Sequence, residues 1–319
     1  MSDLWIPDPA EDRAARKDAV AFDRSDRGKL ALSGEDAAEL LDGLLSNDIG
    51  ALADGEGCWA TLLTPKGRML AEVRVLRCED EYALDTDRVS LQALWDALNN
   101  MQIGHRVALH KRTLQRGLLS LLGPRAAALT GVEPGQDELQ HVAGELDRVP
   151  VRVVRSAFGV DLFCLSEHTA RLTLAIGARI AGEATVEGLR IELGRPRFEV
   201  DMDETTMPQE AGIHARTVSY SKGCYIGQET VARLYWKGKP NRHLRLLECS
   251  EALPPGSALE FNGAQVGRVT SSVLSPVRGP LALALLRRGA PPEAELHVQD
   301  GAATAIVRAI KADHIATGA

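Results

Sequence analysis

Near Lys239-Pro240 the chain changes texture. Downstream, short β-like runs at 244–247, 258–261, 266–273, 281–286, 296–298 and 305–310 follow one another, separated by Pro and Gly and with no helical period between them. Short strands at such regular spacing predict a small barrel. Upstream, strand-like and helix-like stretches alternate and hairpins interrupt them, which points to α+β layers. The 319 residues exceed one ordinary hydrophobic core. The resulting division is a loose leader over 1–25, a mixed region over 26–240 and a barrel domain over 241–319.

Within the mixed region, 30–32 reads as a strand. Ser33-Gly34-Glu35-Asp36 reads as a helix start with Ser33 and Asp36 in a capping-box-like arrangement. Leu40, Leu41, Leu44 and Leu45 share one face of the helix that follows. A strand over 58–63, a tight turn at Pro65-Lys66-Gly67 and a returning strand over 69–76 form a hairpin. In the returning strand Val73 and Val75 alternate with Glu72 and Arg74, the pattern of a half-buried strand. A helix is expected over 89–98, a strand near Val107 and Leu109, and strand, turn and helix start over 118–124. A polar loop is expected over 133–148, strands over 151–154 and 160–165, and a helix near 170–181.

Composition removes several classes of function. A net charge of -7 disfavours wholesale binding to nucleic acid or an anionic membrane. The first 20 residues hold no uninterrupted apolar core, and no apolar run approaches membrane-spanning length, so the expected compartment is the cytoplasm. Cys58, Cys78, Cys164, Cys224 and Cys249 form no CxxC pair. That argues against a disulfide framework and against a permanently bound four-cysteine cluster. The histidines show no metal-ligand spacing.

Residues Lys222-Gly223-Cys224-Tyr225-Ile226-Gly227-Gln228-Glu229 carry the most chemical information. Gly223 and Gly227 bracket a cysteine and an aromatic, which predicts a bend that presents the Cys224 sulfur. Lys222 is placed to favour its thiolate, the form that attacks or binds metal. A helix is expected over 229–235. A lone cysteine is more often a small core hydrophobe, and Cys58, Cys78, Cys164 and Cys249 read that way. For Cys224 the spacing leaves both readings open. Lys222, Arg233, Lys237, Lys239, Arg242 and Arg245 surround it with Glu229 as the sole acid from 222 to 245. Such a run is either a solvated face or a docking site for an anion.

The octapeptide at 222–229, continued by Val231-Ala232-Arg233, resembles the signature of the YgfZ family, within the wider superfamily of the glycine cleavage T-protein. Ser46-Asn47-Asp48, Leu189-Arg190-Ile191-Glu192 with Gly194 and Pro196, Pro208 with Glu210-Ala211, and Gly267-Arg268-Val269-Thr270-Ser271 with Ser275-Pro276 are similar to segments of that superfamily. The resemblance runs over about residues 27–311. It departs at Ala71-Glu72, where the T-protein hairpin carries adjacent aspartates, and at Phe158-Gly159-Val160-Asp161, a reduced form of a pterin-binding turn. The T-protein octapeptide generally lacks the cysteine.

The resemblance implies two mixed sheet-and-helix lobes around a folate channel, plus the C-terminal barrel. It implies a tetrahydrofolate-binding factor for assembly or repair of iron–sulfur clusters in client enzymes, including enzymes that modify tRNA. Cys224 and Lys222 are the implied reactive pair. Arg190, Glu192, Tyr225, Gln228 and Arg233 are the implied folate contacts, with the folate's glutamate tail toward the basic run. Gly223, Gly227 and Glu229 complete the motif. No stable metal site is expected, with Cys224 as a transient cluster ligand. Partners are client enzymes or carrier proteins, without direct nucleic-acid or membrane contact. Two rival functions remain: a folate-dependent aminomethyltransferase and a non-catalytic folate-sensing module.

Overall fold

The computed structural model describes residues 4–299, 301–308 and 310. Three sheets organise them. A five-stranded sheet joins strands Gly57–Leu63, Met69–Cys78, Glu81–Thr86, Gly28–Ser33 and Ala108–Lys111 in that spatial order. Helices Ala37–Leu44 and Leu91–Met101 close its apolar face over Leu32, Leu40, Leu41, Leu62, Val73, Leu94 and Leu98. A six-stranded sheet holds strands Val20–Asp23, Arg116–Leu122, Gly159–Leu165, Val149–Ser156 and His141–Leu146, with Arg179–Ile180 on its edge. Its core is Leu119, Leu121, Val151, Val153, Val160 and Leu162. Small aliphatic side chains fill both cores.

The third sheet is the expected barrel. Strands Ala264–Ser275, Ala258–Phe261, Glu295–Val298, Thr304–Arg308, Arg242–Cys249 and Gly279–Arg287 pair in that order, and the last pairs with the first, closing six antiparallel strands. Leu247, Leu259, Val269, Leu286, Leu296 and Val307 pack together in one barrel cluster. Leu244, Leu246, Val273, Leu281 and Leu283 form a second one, which takes in Ile191 from helix Glu183–Glu192. That helix therefore fastens the barrel to the lobes. The barrel strands fall within two or three residues of the expected runs. Of the barrel division 241–319, residues 311–319 lie outside the described residues.

Five expectations are corrected. The loose leader is ordered from residue 4 onward. Leu4–Trp5 pairs in parallel with barrel strand Ala264–Ser275, helix Pro9–Lys17 follows, and Val20–Asp23 belongs to the six-stranded sheet. The helix has a strong start: the Asp8 carboxylate accepts from the backbone N–H of Ala10 and Glu11, and Pro9 occupies the first turn. The polar stretch 133–148 contains the edge strand His141–Leu146. Asp36 caps nothing with its side chain and instead accepts from the backbone N–H of Arg106. Finally, the strand Met69–Cys78 is not half-buried. Arg74 is as buried as its valine neighbours because the second lobe covers the other face. Helix Thr169–Ile176 is shorter than expected, ending at Gly177 before the edge strand Arg179–Ile180.

Candidate functional site

A cavity of about 410 Å³ lies between the lobes, within the volume range of small-molecule sites. The first lobe contributes Trp59, Glu72, Arg74, Asp85 and Asp87. The second contributes Arg24, Ser120, Phe158 and Asp161, and the segment from Glu183 to Arg216 closes it.

Its wall is a chain of ion pairs. Arg27 donates to Asp85 at 2.8 Å and to Asp87 at 2.5 Å. Arg74 stands 2.7 Å from Asp85 and donates to Asp161 at 2.5 Å, and Asp161 also accepts from Ser120 Oγ at 2.6 Å. Burial alone would push the Asp85 carboxyl up, but Arg27 and Arg74 outweigh it and hold the carboxyl below its ordinary range. Trp59 offers its ring to both Arg74 and Arg216, at 5.8 and 5.4 Å, and its indole N–H donates to Glu138.

Glu72 stands at the hairpin position singled out in the sequence. It accepts from Arg216 at 2.5 Å. Burial pushes Glu72 up despite Arg216, and burial pushes Arg216 down despite Glu72. Each charge is thus held at a desolvation cost that a polar ligand or water would relieve. Guanidinium nitrogens at this wall, Arg24 Nε, Arg74 Nε and Arg216 Nε among them, are buried without a hydrogen-bond partner. Arg24 makes no ion pair among the described residues, and its guanidinium lies 5.8 Å from the centre of the Phe22 ring. Unpartnered buried donors beside apolar rings suit a flat, polar-edged ligand carrying a carboxylate.

The octapeptide occupies a different place: none of its residues lines this cavity. The Lys222 ammonium is engaged by the first lobe. Its side chain is 1% exposed, and Nζ donates to Asp42 Oδ1 and to the carbonyls of Asp42, Leu45 and Asn47 at 2.6–3.0 Å. The resembling triplet Ser46-Asn47-Asp48 belongs to the same knot. Ser46 Oγ donates to the Thr217 carbonyl, and Asn47 Nδ2 donates to the carbonyls of Trp59 and Arg216. The triplet and Lys222 therefore tie the octapeptide to the first lobe and seat Arg216 over the cavity.

Gly227 is required by geometry. It has φ +85, and a Cβ there would stand 2.6 Å from the Thr64 carbonyl, so the helix Gln228–Lys237 starts hard against the hairpin turn. Gly223 has no such need, since nothing lies within 4 Å of where its Cβ would stand. Cys224 sits in irregular chain just after a bend at 220–222, not on the bend itself.

Cys224 is exposed, and the other four thiols are half-buried or buried. Burial pushes Cys58 and Cys249 up to about 12 and Cys78 up to about 11, and it also raises Cys164. In the native protein at neutral pH, iodoacetamide should therefore modify one thiol per chain, at Cys224. Peptide mapping checks this, and faster labelling at any other cysteine would contradict it.

The implied folate contacts scatter. Arg190 lines the cavity but has no donor left to give. Its five N–H groups go to Glu187 twice, to Asp201, to the Arg195 carbonyl and to Ser271 Oγ. It is a rivet between helix, loop and barrel. Glu192 is outside the cavity wall, accepting from Arg16 of the first helix with both oxygens at 2.8 Å. Tyr225 is buried in the cluster of Leu63, Met69 and Val231, with its hydroxyl unpartnered. Gln228 opens its helix half-buried, and Glu229 and Arg233 face solvent. The basic run does not line the cavity either; the cations there are the cavity's own arginines. These arginines sit in strands and loops far apart in sequence; Glu72, Arg74, Phe158, Asp161 and Arg190 of this wall stand out in the sequence, whereas Arg24 and Arg216 do not.

Among the described residues no group of three His, Cys, Asp or Glu is placed to hold a metal ion, and no helix is long and apolar enough to cross a membrane.

Residues 7–222 match the family model described as the GCVT N-terminal domain. The chain belongs to that family. Over 298 residues it is 28% identical to an aminomethyltransferase of Streptomyces coelicolor, covering 85% of this chain and 79% of the relative. It is 29% identical over 265 residues to a chloroplastic protein of Arabidopsis thaliana that carries a provisional transferase name. That match covers 79% of this chain and 61% of the relative's length. The crystal structure of the glycine cleavage system aminomethyltransferase T from Bartonella henselae superposes with a TM-score of 0.83 at 22% identity, covering 94% of this chain and 87% of that one. The fold is thus T-protein-like, and the cavity between the lobes lies almost wholly within the matched segment.

Proposed function

We propose that this chain is a tetrahydrofolate-binding protein of the YgfZ type, which serves assembly or repair of iron–sulfur clusters in client enzymes, tRNA-modifying ones included. One observation carries the reading: a cavity with unpartnered guanidinium donors lies apart from the one exposed thiol, Cys224, on the octapeptide. A reduced folate, when bound, supplies one-carbon chemistry at its pterin. Arg24 and Arg216 would take its polar edge or carboxylates, and Phe158 and Trp59 offer apolar surface beside them. Cys224 would lend one thiolate to a cluster in transit, the other ligands coming from a client, a carrier protein or a small thiol, since a cluster needs about four.

Two measurements test this. Calorimetry should show tetrahydrofolate binding equally to wild type and Cys224→Ser. In cells lacking the protein, Cys224→Ser should fail to restore iron–sulfur enzyme activity that wild type restores. No binding at millimolar tetrahydrofolate removes the folate reading. Full rescue by Cys224→Ser removes the thiol from the mechanism and leaves a sensor or a transferase.

The second reading, folate-dependent aminomethyl transfer, is favoured by the buried Glu72 carboxylate in the cavity wall and by the names of the relatives. Here Glu72 would hold or move a proton, its affinity for one raised by burial. Release of formaldehyde or methylenetetrahydrofolate from an amine donor, lost in Glu72→Gln, would establish this reading over the first.

A further inference from the structure

Where the barrel meets the lobes, Arg68, Arg242, Arg287 and Arg288 line an open groove of about 640 Å³. They come from three places: the end of the hairpin turn, the first barrel strand, and the end of strand Gly279–Arg287. Glu210 is the sole carboxylate in that lining, so three positive charges are left uncompensated there. Arg68 and Arg242 are held side by side, since both donate to Glu210 at 3.1 Å and to the Thr205 carbonyl at 2.5 and 2.9 Å. Asp203, beside Arg242, has Oδ1 taken by Thr205 and Thr206. Arg287 and Arg288 are exposed, and their side chains have no partner among the described residues.

The strand register sharpens this. Arg242 and Arg287 are directly opposed on neighbouring antiparallel strands. Like charges so placed repel, and a sheet keeps them only at a cost to its own stability. In a chain of net charge -7, two opposed arginines flanked by two more make a site that an anion would complete. Guanidinium forks match phosphate oxygens in pairs.

We propose that this groove binds a compact phosphate-bearing ligand of the diphosphate class, bridging Arg242 and Arg287 with Arg68 and Arg288 at its flanks. The groove shares no lining residue with the central cavity, so the proposal stands apart from the folate reading.

The test uses the full chain at low ionic strength, with inorganic pyrophosphate as the probe and the double variant Arg287→Ala/Arg288→Ala. Neither arginine supports a neighbour, so circular dichroism of the variant should match wild type. Calorimetry should give saturable binding to wild type, weaker in the variant by tenfold or more. Pyrophosphate should raise the melting temperature of wild type only, and the ligand-free variant should melt no lower than wild type. A nucleoside diphosphate should bind at the same site and compete with pyrophosphate. Absence of saturable pyrophosphate binding, or equal affinity in the variant, overturns the proposal. So does binding of a single-stranded oligonucleotide without binding of pyrophosphate.

Discussion

Lys222→Met should lower the unfolding free energy by about 3–5 kcal/mol, the range for removing one partner of a buried ion pair. The reason is the number of acceptors it leaves behind. The Asp42 carboxylate and three carbonyls converge on one ammonium, which also stands 5.4 Å from the centre of the Tyr225 ring. Methionine fills the stem's volume and satisfies none of them. The loss should appear as a lower denaturant midpoint with an unchanged slope, because the surface exposed on unfolding is the same. Alkylation of Cys224 in the folded variant should keep its wild-type rate. Unchanged stability together with slowed alkylation would restore the activating role that sequence spacing assigned to Lys222.

Lys222 also shows where sequence reading stops. Adjacency to Cys224 is a one-dimensional fact, and the side chain turns to acceptors at Asp42, Leu45 and Asn47 that only folding brings near. The barrel was legible because its runs are short and apolar, with Pro or Gly between them. The hairpin over 57–78 was legible for the same reason. The edge strand His141–Leu146 was not, because most of its side chains are exposed or half-buried and backbone pairing with Val149–Ser156 defines it. The leader helix does carry a local signal: Asp8-Pro9, acids in the first turn and Arg16-Lys17 in the last turn mark it. The cavity wall left almost no local signal. Arg24, Arg74, Arg195 and Arg216 lie in different elements, and period-two alternation at Arg74 cannot say that a second lobe covers the polar face.

Arg74→Met should cost a similar amount, about 3–5 kcal/mol at neutral pH, and should also flatten the acid sensitivity of the fold. Arg74 is 3% exposed and lies between Asp85 and Asp161, with the Phe163 ring 4.9 Å from its guanidinium. Methionine would pack against Phe163 but leave Asp85 with Arg27 and Asp161 with Ser120. In wild type the Asp85 carboxyl is held below 3.8, its ordinary value. A carboxyl lower in the folded than in the unfolded state contributes stability above that ordinary value, and the contribution is lost as pH falls through the folded one. Wild type should therefore weaken below about pH 4. In Arg74→Met the Asp85 carboxyl keeps Arg27 but loses its second cation, so burial offsets more of the lowering. The variant's loss of stability should therefore be shallower than that of wild type as pH falls from 7 through about 4. Denaturant unfolding across that range, for both proteins, measures the two slopes directly. Parallel pH profiles would mean that Arg74 is a packing residue whose charge the two aspartates do not need.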